Sequence, residues 1–381
     1  MRLLSACQLG NQTESPSDTG ALRYVSKYEA PGQRFVRNVA TRMLLLDTGS
    51  HQFPVSVNDG GGYRENCYVV SPVAAYGAYA LEEVRRLKRP ALEWPLALLL
   101  RGMIASLGAA CLDRIVHVNN WLLSTNLYPS TWEGEDLQRM TEFLKDEFPD
   151  HSFAFRSLNR RCHSVLLERL QLLGYAAVPS RQVYIFDGTA GERSPFLSRH
   201  NTRVDAALSR RTGYRILRGE ELMENDFQRL EQLYNKLYLE KYSRLNPHYT
   251  ADWLRSGQRD GWLELRVLQG PCGTLDGVVG WFASDTSLSA PIVGYDTMLS
   301  KREGLYRLLT RLCLQEAADR RAVLNFSSGA SHFKRLRGGE PEIEFSMVYT
   351  RHLPLRRRVV WTFLGRLLQT IGVPLMQALK L

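Results

Sequence analysis

The chain has 381 residues, 44% hydrophobic and 23% charged, the composition of a globular protein rather than of a disordered or collagen-like one. Its 49 Lys and Arg against 39 Asp and Glu leave a net charge of +10, which favours anionic partners yet is modest enough for an ordinary basic enzyme. The six cysteines, at 7, 67, 111, 162, 272 and 313, have no C-x-x-C spacing, which leaves a zinc ribbon or redox pair unsupported; their scatter suits a reducing cytosol, and a cytoplasmic protein without a metal is expected.

Leu4-Ser5-Ala6-Cys7 has the shape of a lipoprotein cleavage box but lacks the apolar run of ~7–15 residues before it that a signal needs. Residues 8–22 are polar and turn-rich and predict an irregular lead-in. Strands are predicted over 43–46 and 53–57, joined by a turn at Asp47-Thr48-Gly49-Ser50. That turn copies an aspartic protease signature, but such enzymes need two aspartates sharing a proton, and no second Asp-Thr/Ser-Gly with apolar flanks exists. Gly60-Gly61-Gly62 then breaks the chain. There follow a strand at 67–70, helices at 74–87 and 96–109, a strand at 114–119 extended through 121–123, a helix at 133–148, a strand at 152–155, a helix at 162–173 closed by Gly174, and a strand at 182–186. The stretch 94–112 is the most apolar in the chain, but Arg101 sits at its centre, which predicts a buried helix of a globular domain rather than a membrane span.

Residues 193–215 carry Arg193, Arg199, Arg203, Arg210, Arg211 and Arg215 against Asp205, a connecting helix with a solvated basic face. The order then restarts: helices at 225–241 and 249–255, strands at 263–267, 276–282 and 291–296, a helix at 305–318 with apolar residues at 305, 308, 309 and 312, a strand at 323–326, a short helix at 331–336 and a strand at 343–349. One pattern of elements thus occurs twice without repeating in sequence. The expected fold is α/β, two equivalent modules in tandem, each a mixed sheet flanked by helices. The divisions expected are an N-terminal extension with a hairpin (1–62), a first module (63–190), a basic linker helix (191–220), a second module (221–350) and a basic C-terminal helix (351–381).

The second copy resembles the GNAT acyltransferase fold, which holds donor phosphates on a loop between its fourth strand and the next helix. The family pattern there is Gln/Arg-x-x-Gly-x-Gly/Ala, and this chain has Lys301-Arg302-Glu303-Gly304-Leu305-Tyr306, with Tyr306 in place of the second small residue. A glycine turn opening a helix aims backbone N–H groups at an anion. The tandem arrangement resembles the Fem-type peptidyltransferases and their broader relatives among acetyltransferases. Leu197-Ser198-Arg199-His200-Asn201-Thr202-Arg203 matches their Ser-Arg-x-x-x-Arg linker, and the segment from Asn325 to Gly339 resembles their Gly-x-x-x-Phe-Lys-x-x-x-Gly run. The Fem coiled-coil insertion is missing, which weakens peptidoglycan and aminoacyl-tRNA as inherited substrates.

The resemblance implies N-acyl transfer from a CoA thioester to an amine on a small molecule or peptide. A carrier-protein thioester or aminoacyl-tRNA is the alternative donor, with the acyl carrier protein or tRNA as partner. It places Lys301, Arg302, Gly304 and Asn325 on the donor, and Tyr295, Asp296 and Lys334 in the chemistry of the amine proton, the leaving group or the oxyanion. Ser328, and Asn120 and Trp121 of the first module, are the candidate acceptor contacts. The first module's equivalent loop carries Glu133, Glu135 and Asp136, which would repel a pyrophosphate, so that module is expected to be structural. Two other readings stand beside this one: an aminoacyl-tRNA-dependent transferase of Fem type, and a non-catalytic GNAT-like scaffold. The tail from 354 to 381 combines Arg356, Arg357, Arg358, Arg366 and Lys380 with apolar residues at helical spacing, which predicts a helix docked on the second module or on an anionic membrane.

Overall fold

The structure, a computed structural model, describes residues 1–9, 20–28, 35–60, 66–86 and 90–379. Most of the expected lead-in and Gly61-Gly62 of the expected break lie outside them. The first series of elements is β1 (Arg2–Ser5), α1 (Ala6–Leu9), α2 (Gly20–Ser26), β2 (Arg42–Asp47), β3 (Gln52–Asp59), α3 (Tyr79–Arg86), α4 (Pro90–Ala109), β4 (Arg114–Val118), α5 (Leu137–Glu147), β5 (Ser152–Asn159), α6 (Arg160–Leu173) and β6 (Ala176–Asp187). Helix α7 (His200–Arg211) connects it to the second. That series is β7 (Arg215–Arg218), α8 (Asp226–Asn235), α9 (Ala251–Asp260), β8 (Glu264–Gln269), β9 (Leu275–Ala283), β10 (Ser287–Tyr295), α10 (Leu305–Asp319), β11 (Val323–Asn325), α11 (Ser331–Arg335) and β12 (Glu340–Tyr349). The chain closes with α12 (Leu355–Leu367), a π-helical turn (Leu368–Gly372) and α13 (Val373–Leu379).

All the strands join one sheet, in the order β1-β2-β3-β4-β5-β12-β6-β11-β10-β9-β8-β7. This order is equivalent from both ends. Four antiparallel strands come first, then a fifth parallel to the fourth, β4 beside β5 and β10 beside β11. The sixth strands are exchanged. β6 leaves the first half to pair with β11, β12 leaves the second to pair with β5, and the two pair with each other at the centre. The fold is a tandem pair of GNAT-like halves sharing one sheet. Neither half has its sixth strand without the other.

The local reasons are ordinary. α10 buries Leu305, Leu308, Leu309 and Cys313 on one stripe, each buried leucine contributing about 1.5–3 kcal/mol. Gly174 closes α6 in the left-handed region at φ 93°, as its position after an amphipathic run predicts. The Asp47–Ser50 segment is the hairpin turn between β2 and β3, with Gly49 at φ 94° and Asp47 Oδ1 accepting the Gly49 N–H at 2.8 Å.

Three expectations are corrected. The hairpin read as an extension before residue 63 pairs with β1 and β4, so it belongs to the first half's sheet. The segments 67–70 and 121–123 are not strands. They are turns with apolar side chains, buried against the second half: Tyr249 Oη donates to Leu122 O at 2.8 Å, the Tyr68 N–H donates to Leu245 O at 3.3 Å, and the Trp121 and Phe282 rings lie 4.7 Å apart. Apolar runs of three or four residues look alike whether a strand or a neighbouring domain covers them. Lastly, α4 is not buried: Leu100 and Leu107 face inward, while Trp94, Leu98, Leu99 and Arg101 are exposed.

The linker helix is tied to the second half. Asp205, almost fully buried, accepts from Arg307 Nε and Arg337 Nε, each at 2.6 Å. Its basic residues, Arg199, Arg203, Arg210 and Arg211 among them, are exposed as expected.

Candidate functional site

Where the exchanged strands meet, a cavity of about 450 Å³ opens between the halves. Its floor is the central sheet: Glu344, Ser346 and Val348 of β12 face it from alternate positions, beside Ser180, Arg181 and Gln182 of β6. Each half adds a wall from a π-helical turn, a feature that often marks a functional site. Ala74–Ala78 leads into the first wall, with Tyr76 and Tyr79; Lys236–Tyr242 supplies Tyr238 and Tyr242 in the second. One end is closed by the loop from Phe326 to Ser331 and by Lys334 of α11. Three non-glycine residues with left-handed backbone, Ser157, Ser327 and Ala330, line this cavity, which concentrates backbone strain there.

Charges are unusually buried at the floor. Glu344 and Arg181 face each other in the β12–β6 register, and Arg181 Nε donates to Glu344 Oε1 at 2.9 Å. Arg181 also donates to the carbonyl of Ser124 and to Thr125 Oγ1. Glu344 Oε2 is buried and has no hydrogen-bond partner among the described residues. Arg156 of β5 donates to Val69 O at 3.0 Å and Asn120 Oδ1 at 3.2 Å, and burial lowers its pKa. His117 of β4 is buried with Nδ1 unpartnered, and burial together with the Arg156 charge keeps its imidazole neutral.

Lys334 is the most informative of the expected residues. Its Nζ donates to the carbonyls of Phe326 at 2.6 Å, Ser327 at 3.2 Å and Ser328 at 2.8 Å. All three N–H bonds are thereby used, and the ammonium fixes the loop that closes the cavity. Burial, and secondly the Arg181 charge, bring its pKa down from 10.5 to about 7. The main-chain N–H groups of Ser328, Gly329 and Ala330 in that loop have no partner among the described residues.

Of the expected site residues, the cavity brings together Lys334 and Ser328. Asn120 is buried and saturated: its Nδ2 donates to Ser56 Oγ at 2.7 Å and Val69 O at 3.0 Å, and its Oδ1 holds Arg156. It positions an arginine of the cavity rather than lining it. Trp121 is core, its Nε1 donating to Asn119 Oδ1 at 2.9 Å. Asn325 lines a separate small cleft with Asn126 and Asn159, its Oδ1 accepting the Ser327 N–H at 3.0 Å. Tyr295 stands at the end of β10, 3.5 Å from Lys241 Nζ. Asp296 accepts from Lys236 Nζ at 2.7 Å and Arg229 Nη2 at 2.8 Å. Partial burial opposes its ionisation, but these two cations outweigh that and hold the carboxyl well below its ordinary value, which makes it a poor proton acceptor.

The loop before α10 has the expected shape. Lys301–Glu303 forms a single turn, Ser300 Oγ accepts the Arg302 N–H at 3.2 Å, and Gly304 adopts φ 67°. Lys301 and Arg302 are exposed and form no ion pair among the described residues. Tyr306, in the first turn of α10, reaches the cavity, with its ring 4.7 Å from that of Phe333. Through Tyr306, the helix that follows this loop borders the cavity.

No family model matches the sequence, and no curated protein matches it either. Among solved structures, the C-terminal domain of a putative lysylphosphatidylglycerol synthetase from Agrobacterium fabrum is similar over 61% of this chain and 76% of its own, at 13% identity and a TM-score of 0.43. FemX is similar over 60% of this chain and 77% of its own, at 9% identity and 0.44. A tandem GNAT protein from the clavulanic acid biosynthesis pathway covers 91% of this chain and 98% of its own, at 7% identity and 0.39.

Sequence reasoning missed Glu344, Arg181, Arg156, His117 and the tyrosines. Glu344 left one trace: in the alternating strand 343–349 it shares a face with Ser346 and Val348, an unusual place for a charge unless that face is buried around a function. The others gave no signal, because nothing local reports that β6 and β12 change places.

Proposed function

We propose that this protein is an N-acyltransferase that moves an acyl group from a CoA or carrier thioester to an amine inside the central cavity. The observation that carries the reading is the unpaired Oε2 of Glu344, a buried carboxylate oxygen on a residue that lines the cavity. Such an oxygen is costly until a donor reaches it, and an amine is that donor. Glu344 takes the amine proton, the nitrogen attacks the thioester carbonyl, the C–N bond forms, and the C–S bond breaks to release the thiolate. The unpaired N–H groups of Ser328, Gly329 and Ala330 suit the oxyanion, backed by the charge of Lys334. Arg181 keeps Glu344 in place, and the tyrosines of the two π turns enclose the amine. Lys301, Arg302 and the N-terminus of α10 suit the donor's phosphates.

The test is thiol release from acetyl- and longer acyl-CoA with a panel of amines, in wild type and Glu344→Gln. Release that depends on amine and on Glu344 supports the reading. Amine-dependent deacylation of aminoacyl-tRNA, with acyl-CoA inert, replaces it with a Fem-type transferase. No turnover of either, with unchanged binding of CoA in the variant, points to a scaffold.

A further inference from the structure

Two pieces of chain have no counterpart in the internal repeat. One is the π turn with α3 and α4, inserted between β3 and β4 where the second half has only a short turn between β9 and β10. The other is the helix after β12. Both lie on one face of the sheet, over a shared core in which Ile115, Ala154, Val178 and Val348 of neighbouring strands pack against Leu107 and Leu112 and against Trp361 and Leu364. These two additions carry a large share of the exposed apolar surface. In α4, Trp94 is 74% exposed, and Leu98, one turn on, and Leu99 are exposed with it. In α12, Leu355, Val359 and Phe363 form an outward stripe at i, i+4, i+8, followed by Ile371 and Leu375.

The stretch Leu355–Ala378 is long and apolar enough to cross a membrane, yet its inner side is fastened to the protein. Trp361 and Leu364 are buried. Arg357, also buried, donates to the carbonyls of Asp150, Cys111 and Arg114 in the first half. A helix held along its length cannot span a bilayer; it can lie on one. Its outer side also carries Arg356, Arg358 and Arg366, all exposed, and no Asp or Glu follows Glu344 in the sequence. Apolar residues interspersed with arginines, with a tryptophan on the neighbouring helix, match the chemistry of an anionic lipid interface. The cavity reaches this face: Leu368 and Met376, both half-buried, line it from the same helix, opposite Ala75 and Ala80.

We propose that the outer faces of α4 and of the α12–α13 helix form one surface that rests on an anionic bilayer. An amphiphilic substrate with a long acyl chain then passes from that bilayer into the cavity beside Leu368 and Met376. The second part rests on the acyl-transfer reading; the docking surface does not. The probe is flotation of the full chain with phosphatidylcholine vesicles, with and without 30 mol % phosphatidylglycerol. Wild type should bind the anionic vesicles and release in high salt. Phe363→Asp and Leu98→Asp should each weaken binding about tenfold or more, and Arg356→Gln or Arg366→Gln about fivefold each. All four positions are exposed, so the variants should melt with wild type. Absence of binding, or binding indifferent to lipid charge and to these variants, overturns the proposal. So does a dimer in solution that Phe363→Asp splits into monomers, which would make this face a contact between copies. Vesicle binding without thiol release from any acyl-CoA would leave the docking surface standing and remove the acyl-transfer reading. Thiol release no faster from long-chain than from acetyl substrates on vesicles would remove the amphiphilic substrate alone.

Discussion

The two halves run through the same elements but treat the segment after their fourth strand in opposite ways. In the first half it is long (119–136) and braced by side-chain contacts. Asn119 Nδ2 donates to Leu127 O at 2.8 Å, Trp132 Nε1 donates to Asp136 Oδ1 at 2.8 Å, and Glu133 and Glu135 sit 3.7 Å from Arg169 and His51. In the second it is half as long (296–304), ends in a left-handed glycine, and leaves two cations facing water without ion pairs among the described residues. Strand order does not distinguish the halves; the charge at this helix start does. The difference suits a division in which one half holds a phosphorylated donor and the other supplies the wall and the arginines of a shared cavity.

The comparison can be broken at several points. The largest effect is expected at Asp205, which fastens the linker to the second half alone. Asp205→Asn leaves the buried Arg337 and the half-buried Arg307 without their anion and should cost about 3–5 kcal/mol in urea unfolding; a loss under 1 kcal/mol would mean the linker is not fastened there. Glu344→Gln keeps the shape of the cavity and removes the proton acceptor, so turnover should fall about 100- to 1000-fold with donor affinity unchanged. Equal losses in both would make Glu344 a structural residue. Lys301→Glu with Arg302→Glu should weaken CoA binding about tenfold by calorimetry, whereas Glu133→Ala with Glu135→Ala should not change it. Equal losses from the two loops would end the asymmetry.

The last effect is a slope. Folded Lys334 releases its proton near 7, while the unfolded side chain keeps it to about 10.5. Between those values the unfolded chain binds more protons, so stability should rise with pH, by at most about 1.4 kcal/mol per pH unit. Lys334→Met should lose that rise, and parallel stability curves for the two proteins would show that the lysine is not held in this state.

The sequence by itself determined what depends on neighbours along the chain. The doubled order of elements, the stripe at 305, 308, 309 and 312, the stop at Gly174, the turn at Asp47–Ser50 and the basic linker helix all follow from periodicity and turn chemistry. So does the turn before α10, because only glycine enters φ 67° there without strain. What the tertiary structure alone decided is everything that rests on which strands become neighbours. The exchange of β6 and β12 sets Glu344 against Arg181 and creates the cavity. The burial of 121–123 beneath the second half turns Trp121 from a candidate contact into core. The fastening of the last helix by Arg357 leaves its other side to the solvent. Local pattern fixes which side of a helix or strand is apolar. Whether that side meets a core, a partner half or a lipid surface is settled by contacts between residues hundreds of positions apart, to which the periodicity of a single segment is blind.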